Sequence, residues 1–99
     1  MYKLLIFLHK NDDGEILRHF NDFTLRYLKE ITGSEVKIAT VESNLLLEQK
    51  YSHFCELTTG TKYEMDKMMN SKSGKELNKD LMEFHKHITV IAVDYNQEK

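Results

Sequence analysis

Two short runs constrain this chain more than anything else in it. Leu4-Leu5-Ile6-Phe7-Leu8 near the start, and Ile88 to Val93 near the end, are apolar at odd and even positions alike, Thr89 excepted. A strand covered on one side alternates apolar with polar residues, because successive side chains point to opposite faces. A strand apolar at both parities lies inside a sheet that is covered on both sides. At 99 residues the chain is a single domain, residues 1–99, with enough helix to cover one face of a sheet and not two. A second copy of the same sheet is the economical cover for the other face. A homodimer packed sheet against sheet is therefore expected.

The segments between these runs complete the pattern. Tyr2 to His9 reads as a strand, broken at Asn11-Asp12-Asp13-Gly14. Asp12 with Glu15 three residues later has the form of a capping box, and opens a helix from about Asp13 to Thr32. Ile16, Leu17, Phe20, Phe23, Tyr27, Leu28 and Ile31 form its apolar stripe, and Gly33 is a natural left-handed stop. Glu35 to Glu42 alternates and predicts a second strand. Leu45-Leu46-Leu47 then forms an apolar hairpin tip, costly to leave in water and expected against a partner protomer or over a pocket.

Tyr51 to Thr58 reads as a third strand, with Tyr51, His53, Cys55 and Leu57 on one face and Phe54 and Glu56 on the other. Thr61 with Glu64 opens a further helix carrying Tyr63, Met65, Met68 and Met69. Ser71, Ser73 and Gly74 are poor in mid-helix, so a break is expected between Asn70 and Gly74, with Ser73 as the new cap. Leu77, Leu81 and Phe84 continue the stripe, and His87 to Tyr95 is the last strand. The order β-α-β-β-α-β is the ferredoxin-like split βαβ arrangement, an α+β fold with an antiparallel sheet in the order 4-1-3-2.

Composition excludes several classes. A net charge of −2, with lysines scattered among acids, offers no basic stripe for nucleic acid. No apolar run approaches the length of a membrane span. The single cysteine, Cys55, has no internal partner, which fits a reducing, cytoplasmic setting, and its strand position suits a buried structural thiol. Gly-rich phosphate loops, nucleophile elbows and hydrolase triads are lacking, which argues against nucleotide enzymes and serine hydrolases.

Ser52-His53-Phe54-Cys55-Glu56-Leu57, a helix start at Thr61, then Ser71-Lys72-Ser73-Gly74-Lys75 with Asp80 and Phe84, resemble the C-terminal half of EthD-like proteins. The resemblance implies a dimeric α+β barrel, two ferredoxin-like protomers whose sheets pack face to face. Relatives of that architecture include cofactor-independent monooxygenases, haem-degrading enzymes and lactone isomerases, and the fold does not choose among them. The first helix departs from the family, whose His-Ala-Pro-Leu-like step is replaced here by Phe23-Thr24-Leu25-Arg26-Tyr27-Leu28.

The split βαβ topology puts the end of the first strand and the starts of the third and fourth at one edge. His9, His53, His85 and His87 gather there. Hydrophobic walls, few polar groups and a titratable centre are what a small-molecule pocket needs. His9 and His53 are the candidate catalytic bases, and His9, Tyr27, His53, Phe84 and His85 the candidate ligand-binding residues. Against this stand solvated or core-satisfied histidines without chemistry, and Tyr27 as plain core. A metal or haem site on these imidazoles is a third alternative, but His85-Lys86-His87 has no recognised metal spacing, so neither metal nor other cofactor is expected. The sequence thus points to a protein that binds or transforms a small apolar organic molecule without a bound cofactor, in the manner of a monooxygenase or isomerase. The alternative is a non-catalytic dimeric accessory or binding module with incidental histidines.

Overall fold

A computed structural model describes residues 1–42 and 50–95 of the chain. In order these are β1 (Tyr2–His9), α1 (Gly14–His19), a π-helical turn (Phe20–Thr24), α2 (Leu25–Thr32), β2 (Ala39–Thr40), β3 (Tyr51–Thr59), α3 (Lys62–Met69), α4 (Lys72–Glu83) and β4 (Ile88–Asp94). The strands form one antiparallel sheet in the order β2-β3-β1-β4, the expected 4-1-3-2 read from its other edge. The fold is α+β and ferredoxin-like.

Parity along the strands decides what each face does. Ile6, Leu8, Cys55, Leu57 and Ile88 share one face and are buried there with Phe20 and Leu28 of the first helical stretch and Met65, Leu77 and Leu81 of the second. The other face carries Leu5, Phe7, Phe54, Ile91 and Val93. It also carries an ion pair, Lys3 Nζ to Glu56 Oε2 at 3.0 Å. Phe7 pairs across the strands with Phe54, their rings 5.0 Å apart.

A register shift between Leu8 and His9 changes one assignment on β3. Leu8 faces His53, but His9 faces Tyr51, so the β3 side has one residue too many at Ser52. Such a bulge reverses the facing of everything beyond it. Tyr51 therefore leaves the face of Cys55 and Leu57 and joins Phe7 and His9, with ring centroids at 4.8 and 5.7 Å.

The second strand is far shorter than the alternation over Glu35–Glu42 suggested. Only Ala39 and Thr40 pair with β3, extended by one bond from Val41 N–H to the Ser52 carbonyl at 2.9 Å. Val36 and Ile38 are half-buried against the core, so the alternation records side-chain packing at residues outside the β2–β3 ladder. The Leu45-Leu46-Leu47 tip lies outside the described residues.

The helix boundaries follow local chemistry. Asp13, one residue after the expected Asp12, caps α1 by accepting the Glu15 N–H at 2.9 Å. Gly33 ends α2 at φ 74°, a conformation that costs glycine little. Thr61 and Glu64 close a reciprocal capping box on α3. The break before α4 falls at Asn70 and Ser71, and the cap is Ser71 instead of Ser73. Ser71 is the residue with extended backbone, and its Oγ accepts the Gly74 N–H at 3.1 Å, while Ser73 is already in the helix. Gly74 is buried where α4 starts against the end of α3. A Cβ there would lie 2.4 Å from the Met68 carbonyl oxygen and 2.6 Å from Met69 backbone atoms.

Candidate functional site

A tightly organised polar group joins the first helical stretch to α4. His19 Nε2–H donates to Asp80 Oδ1 at 2.5 Å, and the Thr24 hydroxyl donates to Asp80 Oδ2 at 2.7 Å. Thr24 is fully buried and Asp80 nearly so. Both carboxylate oxygens are thus engaged, as a buried carboxylate requires.

The π-helical turn explains how two residues of one helix reach one carboxylate. Residues five apart on an α-helix point about 140° away from each other. From Phe20 to Thr24 the helix widens, and Leu25 N–H bonds to the Phe20 carbonyl, five residues back. That spacing brings positions i and i+5 to the same side, and such turns recur at functional sites. The ring of His19 stacks on Phe84 at 4.0 Å and on Phe23 at 5.0 Å between centroids. Arg26 in turn lies over Phe23, 5.3 Å from its ring.

His19 did not emerge from the sequence reading as a site residue. The available signal was Asp80, which lies three residues after Leu77 and four before Phe84. An acid inside an apolar stripe needs a buried partner. The spacing of His19 and Thr24 fits no single face of an α-helix, so only the π turn reveals that they act together.

A second feature is apolar. Between α4 and the helix-side face of β1 and β4 lies an open cleft of about 380 Å³, lined by Leu4, Met69, Leu81, Met82, Ile88 and Val90. Asn78 and His85 supply its polar groups. His85 Nδ1–H donates to the Met82 carbonyl at 3.0 Å, which fixes the ring at the end of α4.

The remaining sequence candidates lie elsewhere. His9 and His53, with Leu8, Ile16, Leu17 and Ser52, line a small cavity of about 80 Å³ at the end of β1. His9 Nε2 is 2.6 Å from the Thr89 hydroxyl, and His53 Nδ1 is 2.8 Å from the Ser52 hydroxyl. His87 is at the same end, accepting from Asn11 Nδ2 at 3.2 Å, and its carbonyl accepts the His9 N–H. His85 faces the apolar cleft and does not line the His9–His53 cavity. Tyr27 is half-buried and borders a polar hollow of about 260 Å³ with Glu76, Lys79, Asp80 and Glu83. Phe84 packs on His19. Among the described residues no three His, Cys, Asp or Glu side chains are grouped to hold a metal ion, and no helix is long and apolar enough to cross a membrane.

No protein-family model matches the chain, and no curated sequence matches it. Solved structures do. An EthD-family protein from Bacillus halodurans C-125 superposes with a TM-score of 0.79 at 21% identity, over 97% of this chain and 99% of that one. A protein from Arabidopsis thaliana gives 0.62 at 15% identity, over 99% and 95%. A 5-chloro-2-hydroxyhydroquinone dehydrochlorinase from Burkholderia phenoliruptrix AC1100 gives 0.46 at 8%, over 99% and 96%, too low to argue from. At such identities the likeness is one of fold. The EthD resemblance of Ser52–Phe84 is matched by the backbone of nearly the whole chain.

Proposed function

We propose that this protein is a cofactor-independent homodimer that holds a small, largely apolar organic molecule in the cleft between α4 and the β1–β4 face. The observation that carries this reading is the cleft itself. Its volume of about 380 Å³ and its wall of Leu4, Met69, Leu81, Met82, Ile88 and Val90 suit a molecule of about ten heavy atoms, with Asn78 and His85 to orient it. Val90 is 41% exposed at the cleft, so a charge there can be solvated without disturbing the core. Val90→Asp is expected to weaken binding of small aromatic ketones and phenols at least about tenfold in a ligand-observed NMR screen, the loss of one desolvated apolar contact. Unchanged affinity for every hit would remove the cleft from consideration.

The cavity beside His9 and His53 favours a second placement of the same activity. Two imidazoles lining one cavity could anchor a polar head group or take a proton from it. His9→Ala and His53→Ala distinguish the two placements, since only this one depends on those rings. In either placement the alternative is a binding module without turnover. It is separated from an enzyme by whether a bound compound is chemically changed on prolonged incubation.

Homodimerisation would use the helix-free sheet face. Leu5, Phe7, Tyr51, Phe54 and Val93 are half-buried there, and Ile91 is 44% exposed. A contiguous apolar face of this kind marks an interaction surface, and a stable dimer needs more than about 1,000 Å² of it. Sedimentation at micromolar concentration should give twice the 11.7 kDa protomer mass, and Ile91→Asp should return it to one. A wild-type monomer would defeat the proposal. The free thiol of Cys55 is compatible with the reducing cytoplasm, where we place the protein.

A further inference from the structure

We infer that His19 is a general base, poised to take a proton from a weakly acidic C–H or O–H of a small planar carbonyl compound. The inference goes beyond the ligand cleft and does not depend on it. Four observations carry it. Asp80 accepts from Nε2, which fixes the tautomer with hydrogen on Nε2 and leaves the Nδ1 lone pair as the basic site. Thr24 holds the far carboxylate oxygen, so Asp80 cannot swing away from the ring. Phe23 and Phe84 stack on the imidazole, which sets its plane and gives an apolar approach. One quarter of the His19 side chain remains open to solvent, and among the described residues Nδ1 has no hydrogen-bond partner.

This is the arrangement by which a buried carboxylate orients a histidine for proton transfer. A purely structural clip between two helices would be served by Thr24 and Asp80 alone, and would gain nothing from an open ring edge. The step balances without any other reactant. Nδ1 takes the proton from the carbon next to the carbonyl, the bonding pair moves into an enolate, and the imidazolium returns a proton to carbon or oxygen. The net result is tautomerisation, or exchange with solvent hydrogen, with no change of oxidation state.

The intact protein tests this directly. In long-range ¹H–¹⁵N spectra the neutral form of His19 should carry its hydrogen on Nε2 and be bare on Nδ1. In heavy water, phenylacetone should exchange its benzylic hydrogens faster with the wild type than with free imidazole at equal concentration. His19→Gln should lower that rate at least about 100-fold, the usual scale of a positioned base. Asp80→Asn, acting through the ring it positions, should move the pH profile of exchange and shift the proton to Nδ1. Should His19→Gln fail to fold, diethyl pyrocarbonate gives the same answer on the native chain. His19 should be acylated at Nδ1, identified by mass spectrometry, with loss of exchange in proportion. A proton on Nδ1 in the neutral form of the wild type, an exchange rate no faster than imidazole, or a His19 inert to the reagent while exposed His85 reacts would each overturn the inference. Val90→Asp leaves His19 untouched, so the cleft and the base fail separately.

Discussion

Gly74→Ala is expected to destabilise the protein by about 3 kcal/mol or more, against a gain of about 1 kcal/mol from helix propensity. The added methyl would sit 2.4 Å from the Met68 carbonyl oxygen and 2.6 Å from the Met69 backbone. These atoms belong to the main chain at the end of α3, so no rotamer change relieves the clash. The first turn of α4 must move away, and this displaces Leu77 in the next turn, which is fully buried in the core. For a domain of this size the loss corresponds to a fall in Tm of about 12 °C or more, read at fixed protein concentration. Gly14→Ala is the control: nothing lies within 4 Å of its added methyl, and its stability should change by less than about 1 kcal/mol. Equal effects from the two substitutions would show that the helix junction adapts.

The second large effect concerns Cys55. Burial first, and the charge of Glu56 second, push its thiol up from an ordinary value of 9.0 to about 12. Below about pH 9 the folded and unfolded chains both keep the proton, and stability is undiminished. Between pH 9 and 12 the unfolded chain ionises and the folded one does not, so stability falls as pH rises. The loss attributable to this group is about 2–3 kcal/mol by pH 11. Unfolding free energies of wild type and Cys55→Ala, measured in urea from pH 8 to 11, isolate it as a narrowing difference. A difference independent of pH would show that the thiol is solvated. The same burial makes native Cys55 inert to Ellman's reagent until the chain is unfolded.

The sheet was legible because its information is carried by parity. Leu4–Leu8 and Ile88–Val93, apolar at both parities, marked strands with apolar residues on both faces, β1 inside the sheet and β4 at its edge, and four strands with two helical stretches leave few topologies. What parity could not show is where backbone pairing stops. Val36 and Ile38 alternate as a strand does while only Ala39 and Thr40 join the ladder. Nor could it show the extra residue at Ser52 that turns Tyr51 to the other face. Thr61 and Gly33 cap where expected, but two other caps were read one or two residues out, because Asp12 and Asp13, or Ser71 and Ser73, offer the same chemistry and only backbone conformation chooses between them.

The polar site was less accessible for a different reason. Four of the five histidines were placed by strand direction: His9 and His53 line one cavity, the His87 carbonyl accepts the His9 N–H, and His85 lies apart from them at the apolar cleft. His19 lies on a helix whose apolar stripe can be drawn without it. Its partner lies 61 residues away, and no local pattern links the two. Asp80 alone, as an acid among Leu77, Leu81 and Phe84, could have prompted the search.

The widened turn at Phe20–Thr24 has a consequence for phase. A π turn contains one residue more than the α turn it replaces, so the chain beyond it is rotated by about 100° relative to an uninterrupted helix. With that rotation Thr24 is fully buried, while Phe23, which a regular helix would keep on the apolar stripe, is 42% exposed. The two halves of the helix therefore follow separate helical wheels, offset by one residue. Sequence comparison that aligns such a helix to a regular one must open a gap within residues 20–24, or it will match buried positions of one chain to exposed positions of the other.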